Sequence, residues 1–248
     1  MDLHGKTILT TRAAAQSSEL RERIQALGGQ VIECPTIEIA PPESWALVDH
    51  AIANLNSYHW ILFTSSNAVD HFMKRVDSAG SKCDVAIAAV GSSTAARLQH
   101  WKLRVSLLPE QFRAEGLLEA FPSDLTGVRI LFPRAETARE ILPDELRKRG
   151  ATVDIVTVYR TVKATTSGGL RKLMAEHRVD CVVFTSESTI RYLAESVNGD
   201  LSCIHNVPIA VIGPITRQAV DSYGLRVSIE PSRATIPDLV EAIRAALR

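Results

Sequence analysis

The chain is written twice, and a duplicated strand-helix pattern leaves few architectures open. Set "KTILTTRAAAQSSELRERIQALGGQVIECPTIEI" against "VRILFPRAETAREILPDELRKRGATVDIVTVYRT": Arg12 falls on Arg134, Gly28 on Gly150 and Val31 on Val153, each 122 positions apart. "FTSSNAV", from Phe63 to Val69, then meets "FTSEST", from Phe184 to Thr189, one step out of register. "IAAVGSSTAARL" meets "IAVIGPITRQAV", with Gly91 on Gly213 and Thr94 on Thr216 at the original spacing. "LRVSLLPEQFRAEGLLEAF" meets "LRVSIEPSRATIPDLVEAI", with Pro109 on Pro231 and Glu119 on Glu241. A slip that later reverses, across four matching segments, marks an ancient duplication.

Each copy alternates strand and helix. "TILTT", "WILFT" and "VAIAAVG" are short, continuous apolar runs, the pattern of parallel strands buried on both faces. "SELRERIQALG" carries Leu20, Ile24 and Leu27 at helical spacing and stops on glycine. The second copy repeats this with "VRILF", "DCVVFT" and "PIAVIG". The pattern predicts a doubly wound parallel sheet in each half. "IEIAPPES" and "VYRTVKATTSGG" leave it at equivalent places and read as extended connectors where the chain crosses between lobes.

In open parallel sheets, ligands bind beyond the carboxyl ends of the strands. Those turns here are "TTR", "TSSN" and "VGSST" in one copy and "FPR", "TSES" and "IGPIT" in the other. Unpaired N–H groups and a partial positive charge at helix starts make such turns anion cradles. Ser and Thr are also ordinary N-caps, worth about 1 kcal/mol each. Capping explains one such turn well; the same chemistry at nearly every strand end favours two rims that clasp a large polyanion.

Lys+Arg 28 balance Asp+Glu 28, so no basic field exists to drive nucleic-acid binding. No apolar run approaches the roughly 20 residues that span a bilayer, and "MDLHGKTILTTR" lacks the pattern of a signal peptide. Cys34, Cys83, Cys181 and Cys203 form no CxxC pair, and the seven histidines form no HxxxH or HExxH pattern. They read as scattered thiols of a reducing cytoplasm, with no metal site. No GxGxxG, Walker A or GxSxG motif supports a dinucleotide, ATP or hydrolase reading.

The succession "FTSSNAV", "AAVGSSTAARL", "FPRAE", "TVYRT", "VVFTSEST" and "IAVIGPITRQAV" resembles the uroporphyrinogen-III synthase family, from about Lys6 to Ile243. The resemblance implies an α/β fold of two flavodoxin-like doubly wound domains joined by a two-stranded linker, with the active site in the cleft. It implies an exchange of segments: one domain of roughly 1–38 plus 165–248, the other of 39–164. Two contiguous lobes cut near Thr126 are the alternative from the repeat alone.

The implied substrate is hydroxymethylbilane, a linear tetrapyrrole carrying eight carboxylates, closed to uroporphyrinogen III with loss of water and inversion of ring D. No cofactor and no metal are implied. The protein is expected to be a cytoplasmic monomer acting on this small molecule, without nucleic acid or membrane. Tyr159, in "TVYRT", matches the family's cleft tyrosine and is the candidate proton donor; its other reading is an aromatic packing a connector. Candidate substrate-binding residues in the first copy are Arg12, Thr64, Ser65, Ser66, Gly91, Ser93 and Thr94. Those in the second are Arg134, Thr185, Ser186, Gly213 and Thr216. Either arginine reads equally well as solvated or as paired with a helix carboxylate. A regulatory or binding relative that keeps the clasp without turnover is the alternative function.

Overall fold

The computed structural model describes residues 2–138, 140–165 and 169–247, with Ala15 by its backbone only. The chain divides into two compact units, Met1–Ile39 with Val162–Arg248, and Ala40–Thr161.

Strands β1 (Thr7–Thr10), β2 (Gln30–Glu33), β8 (Cys181–Phe184), β9 (Ile209–Val211) and β10 (Val227–Ile229) build the first unit's sheet, in the order β10-β9-β8-β1-β2. Every neighbouring pair is parallel. Read along this unit, that is the 2-1-3-4-5 order of flavodoxin-like sheets. Successive side chains of a strand face opposite ways, which is why β1 carries apolar residues for both layers. Ile8 packs with Leu20 and Ile24 of α1 (Ser18–Ala26) and with Leu239 and Ile243 of α10 (Ile236–Ala246). Leu9 faces the other layer, with Leu170 of α7 (Leu170–Glu176), Ile190 and Leu193 of α8 (Glu187–Ser196) and Val220 of α9 (Pro214–Ser222). Each such side chain contributes about 1.5–3 kcal/mol by leaving water.

The second sheet runs β3-β7-β6-β4-β5, from β3 (Ile37–Ala40), β4 (Trp60–Phe63), β5 (Ala86–Ala89), β6 (Arg129–Ala135) and β7 (Thr152–Lys163). Its helices are α2 (Ala46–Ala53), α3 (Ser66–Ser78), α4 (Ser92–His100), α5 (Ala114–Ala120) and α6 (Ile141–Lys148). A parallel bridge from Ala88 to Leu107 extends the sheet past β5, where the duplicate of β10 is due. The order β7-β6-β4-β5 plus that bridge repeats the first sheet, with β3 added outside β7. Each sheet therefore joins strands of both copies: β1 and β2 of the first copy sit beside β8, β9 and β10 of the second.

The chain passes between units inside β3 and β7, at Ile39/Ala40 and Thr161/Val162. The Ala164 amide donates to the Thr36 carbonyl (3.0 Å) and Arg160 Nε to the Pro41 carbonyl (3.1 Å), so the two strands run in opposite directions. The stretches expected as connectors thus begin as regular strand, through Ala40 and Lys163; residues 166–168 of the second lie outside the described residues. Gly28 and Gly150 both hold left-handed φ (78° and 96°) just past α1 and α6, where a side chain would be strained.

Candidate active site

Parallel register brings the strand-end residues of each unit to one edge. In the first unit Thr10 lies opposite Val183, Val183 opposite Ala210, and Phe184 opposite Val211, so Arg12, Thr185, Ser186 and Gly213 follow directly. In the second, Phe63 lies opposite Ala89 and Ile61 opposite Leu131, so Thr64, Gly91 and Arg134 leave at about one level. Four of the six turns lead straight into a helix among the described residues. Ser65 is the N-cap of α3, Gly91 of α4, Ser186 of α8 and Gly213 of α9.

The other two turns depart from the expectation. After β1 a short 3-10 turn, Ala14–Gln16, intervenes before α1. "FPR" is no turn at all: Pro133 and Arg134 belong to β6, opposite Val156 and Thr157. The cause is the neighbour, since the 12-residue β7 accompanies β6 three residues beyond where β2 releases β1.

The two serine caps behave differently. Ser65 Oγ accepts the Ala68 amide at 3.1 Å, whereas Ser186 Oγ meets Ser188 Oγ at 2.9 Å. Thr94 and Thr216 are not caps. Both occupy the third position of their helices, at 3% and 4% exposure, and neither hydroxyl has a hydrogen bond among the described residues. Ser66 opens α3 half-buried and Ser93 is exposed on α4. A Cβ on Gly91 would find nothing nearer than Phe112 Cβ at 4.0 Å, whereas one on Gly213 would meet Ala234 Cβ at 3.3 Å.

The arginines differ. Arg12 is half-buried and donates from Nε to the Gln16 carbonyl at 3.1 Å; burial lowers its pKa, opposed by Glu19. Arg134 is buried, lies over the Phe132 ring and pairs with Glu140 at the start of α6.

Tyr159 sits in β7, 8% exposed, opposite Ala135 where the register with β6 shifts. Its hydroxyl lies 3.3 Å from Ser65 Oγ, and its ring stacks on His71 of α3 with centroids 5.7 Å apart and planes at 24°. Burial depresses the His71 pKa, Lys74 adds to this, and Asp70 opposes it. His71 escaped the sequence reading. Its only trace is helical spacing, three residues after the buried Ala68. Arg191 of α8 also escaped: its Nε is buried with no partner among the described residues, and its guanidinium lies over Tyr192.

Two cavities lie elsewhere. One of about 650 Å³ is lined by Tyr58, Arg129, Arg147 and Val153, at the amino ends of β6 and β7 and away from Tyr159. No cluster of three or more His, Cys, Asp or Glu side chains suits a metal, and no helix is long and apolar enough to cross a membrane, among the described residues.

Flavodoxin-like sheets, each exchanging strands with its duplicate and each rimmed by Ser, Thr, Gly and Arg, define a duplicated, doubly wound α/β protein. The sequence matches the family model described as uroporphyrinogen-III synthase HemD over residues 18–241. The chain belongs to the uroporphyrinogen-III synthase family. It is 38% identical to uroporphyrinogen-III synthase of Synechococcus elongatus, over 97% of this chain and 95% of that protein. It is 29% identical to that of Chlorobaculum parvum, over 98% and 100%. Among solved structures, a mutant uroporphyrinogen III synthase of Thermus thermophilus aligns with TM-score 0.69 at 15% identity, over 98% of this chain and 99% of that one. The Helicobacter pylori uroporphyrinogen-III synthetase gives 0.65 at 16%, over 98% and 100%, again a likeness of fold.

Proposed function

We propose that this protein is a uroporphyrinogen-III synthase of tetrapyrrole biosynthesis, closing hydroxymethylbilane to uroporphyrinogen III with loss of water and inversion of ring D. The likeness to named synthases along the whole chain carries the reading; no such support attends the non-turnover alternative. A balanced charge suits an enzyme working on this one small molecule, as a cytoplasmic monomer.

The chemistry asks little of the protein. A pyrrole nitrogen of the substrate pushes out the hydroxyl, which leaves as water once it gains a proton, and an electrophilic azafulvene remains. Tyr159 supplies that proton. Attack by the substituted α-carbon of ring D gives a spiro intermediate, whose rearrangement inverts the ring. The proton shed when the closed macrocycle regains aromaticity balances the one Tyr159 gave. Left alone, the chain closes the easy way to the uninverted isomer. Selectivity therefore rests on holding a bent conformation, an effect of orientation worth several kcal/mol.

Holding falls to the rims. The four helix starts behind Ser65, Gly91, Ser186 and Gly213 offer N–H groups to carboxylates. The hydroxyls of Thr64, Ser66, Ser93, Thr94, Thr185 and Thr216 add donors, and Arg12, Arg134 and Arg191 add charge. The test is a coupled assay supplying hydroxymethylbilane and identifying the isomer of the oxidised product. Isomer III above the spontaneous rate is expected; isomer I alone, at that rate, ends the proposal.

A further inference from the structure

Tyr159 and Ser65 come from distant parts of the chain, yet their hydroxyls are 3.3 Å apart, and either could donate. Two observations favour Ser65 as the donor. Ser65 Oγ already accepts the Ala68 amide at 3.1 Å, and a hydroxyl that accepts a hydrogen bond becomes a stronger donor in the next. Ser65 also caps a 13-residue helix, whose positive start draws electron density onto the outermost acceptor. That acceptor is the tyrosine oxygen.

We propose that Ser65 is a positioning residue for Tyr159: its hydroxyl donates to the phenol oxygen, so the phenol's own proton points outward to the departing hydroxyl. The chain runs from the Ala68 N–H to Ser65 Oγ, from Ser65 O–H to the phenol oxygen, and from the phenol O–H to the substrate. As the C–O bond breaks, its electron pair leaves with the water and the phenol proton goes with it. Negative charge then builds on the tyrosine oxygen, facing the Ser65 hydroxyl and the α3 N-terminus. His71, from the same helix, stacks on the ring and keeps the oxygen at this place. Ser65 thus acts through Tyr159 and not as one more contact to a carboxylate. The inference rests on Tyr159 as proton donor.

Two substitutions separate this from capping. Ser65→Asp keeps a strong N-cap but can only accept, so it takes the phenol proton inward. Ser65→Gly leaves a serviceable cap and removes the hydroxyl. Both are expected to change the melting temperature little while reducing kcat. Ser65→Asp should lose roughly 10-fold or more, short of the ~10²-fold of a whole proton donor. Ser65→Thr, which can accept and donate together, recovers most of the loss. A carboxylate at this position also repels an anionic substrate, which would raise KM; the decisive readout is kcat in a double-mutant cycle with Tyr159→Phe. In the Tyr159→Phe background, Ser65→Asp is expected to lower kcat no further. An equal loss in both backgrounds, or Ser65→Asp with wild-type kcat, overturns the inference. Wild-type kcat in Tyr159→Phe alone overturns the proton-donor reading beneath it, so the two failures are distinguishable.

Discussion

Thr94 is 3% exposed and its hydroxyl makes no hydrogen bond among the described residues; the fully buried side-chain polar atom left without a partner there is Arg191 Nε, so the Thr94 hydroxyl keeps some open surface. Its duplicate Thr216, at the same helical position, is alike at 4% exposure, and the proposed role of both hydroxyls is to meet a bound molecule. Thr94→Val and Thr216→Val keep the shape and remove the hydroxyl. They are expected to hold or raise the melting temperature and to lower kcat/KM by about 5- to 30-fold each, the loss of one or two hydrogen bonds of roughly 1 kcal/mol. A fall in melting temperature with unchanged kcat/KM would make the hydroxyls structural. At this scale the paired threonines and Ser65 stood out in the sequence because their motifs repeat, and Tyr159 because of the family resemblance; that Ser65 and His71 meet Tyr159 did not. His71 and Ser65 meet Tyr159 only because β7 and α3 fold together, and nothing near Tyr159 in the sequence announces either.

Helices α3 and α4 follow adjacent strands and are clamped by Asp70, which accepts from Arg97 Nε at 2.5 Å and Trp101 Nε1 at 2.9 Å. Burial alone would raise the Asp70 pKa, but the bonds from Arg97 and Trp101 outweigh it and the net shift is downward from 3.8. A carboxyl with a depressed folded pKa adds stability that is full above its unfolded pKa and is lost as pH falls through the folded one. Asp70→Asn should therefore flatten the stability-pH curve below about pH 4 and loosen the last turn of α4, where Arg97 and Trp101 sit. Urea midpoints from about pH 2.5 to 6, a span that brackets the carboxylate range, check this; parallel curves for wild type and variant would remove the clamp. Elements were the most legible level, because apolar runs and glycine stops mark strands and helices locally. Two boundaries were not. "FPR" continues β6 and "IEIA" forms β3, because β7 lies beside both, and a partner strand leaves no mark in the segment it extends.

Across the whole molecule, the repeat predicts the fold class, two doubly wound sheets, but is silent on which copy supplies which strand. Strand exchange is a matter of pairing: β1 lies between β2 and β8, so removing it takes out an interior strand. A chain lacking residues 1–39 should keep slow amide exchange in β4, β5 and β6 and lose it in β8, β9 and β10. Protection retained in β8 would show that the first unit closes without its leading segment.

The place of β1 also sets a timetable. Its sheet cannot close until β8 emerges from the ribosome, and its partner Cys181 follows Ile8 by 173 residues (181 − 8). At ordinary elongation rates of about 5–20 residues per second, that is a wait on the order of 10 s. The second unit, contiguous in sequence, is complete before then. Through that interval the nascent chain carries an apolar strand-helix-strand unit without its partner strands while the second unit is made behind it, the kind of client that a chaperone at the tunnel exit holds. The strand exchange thus carries a cost in time, met at every round of synthesis.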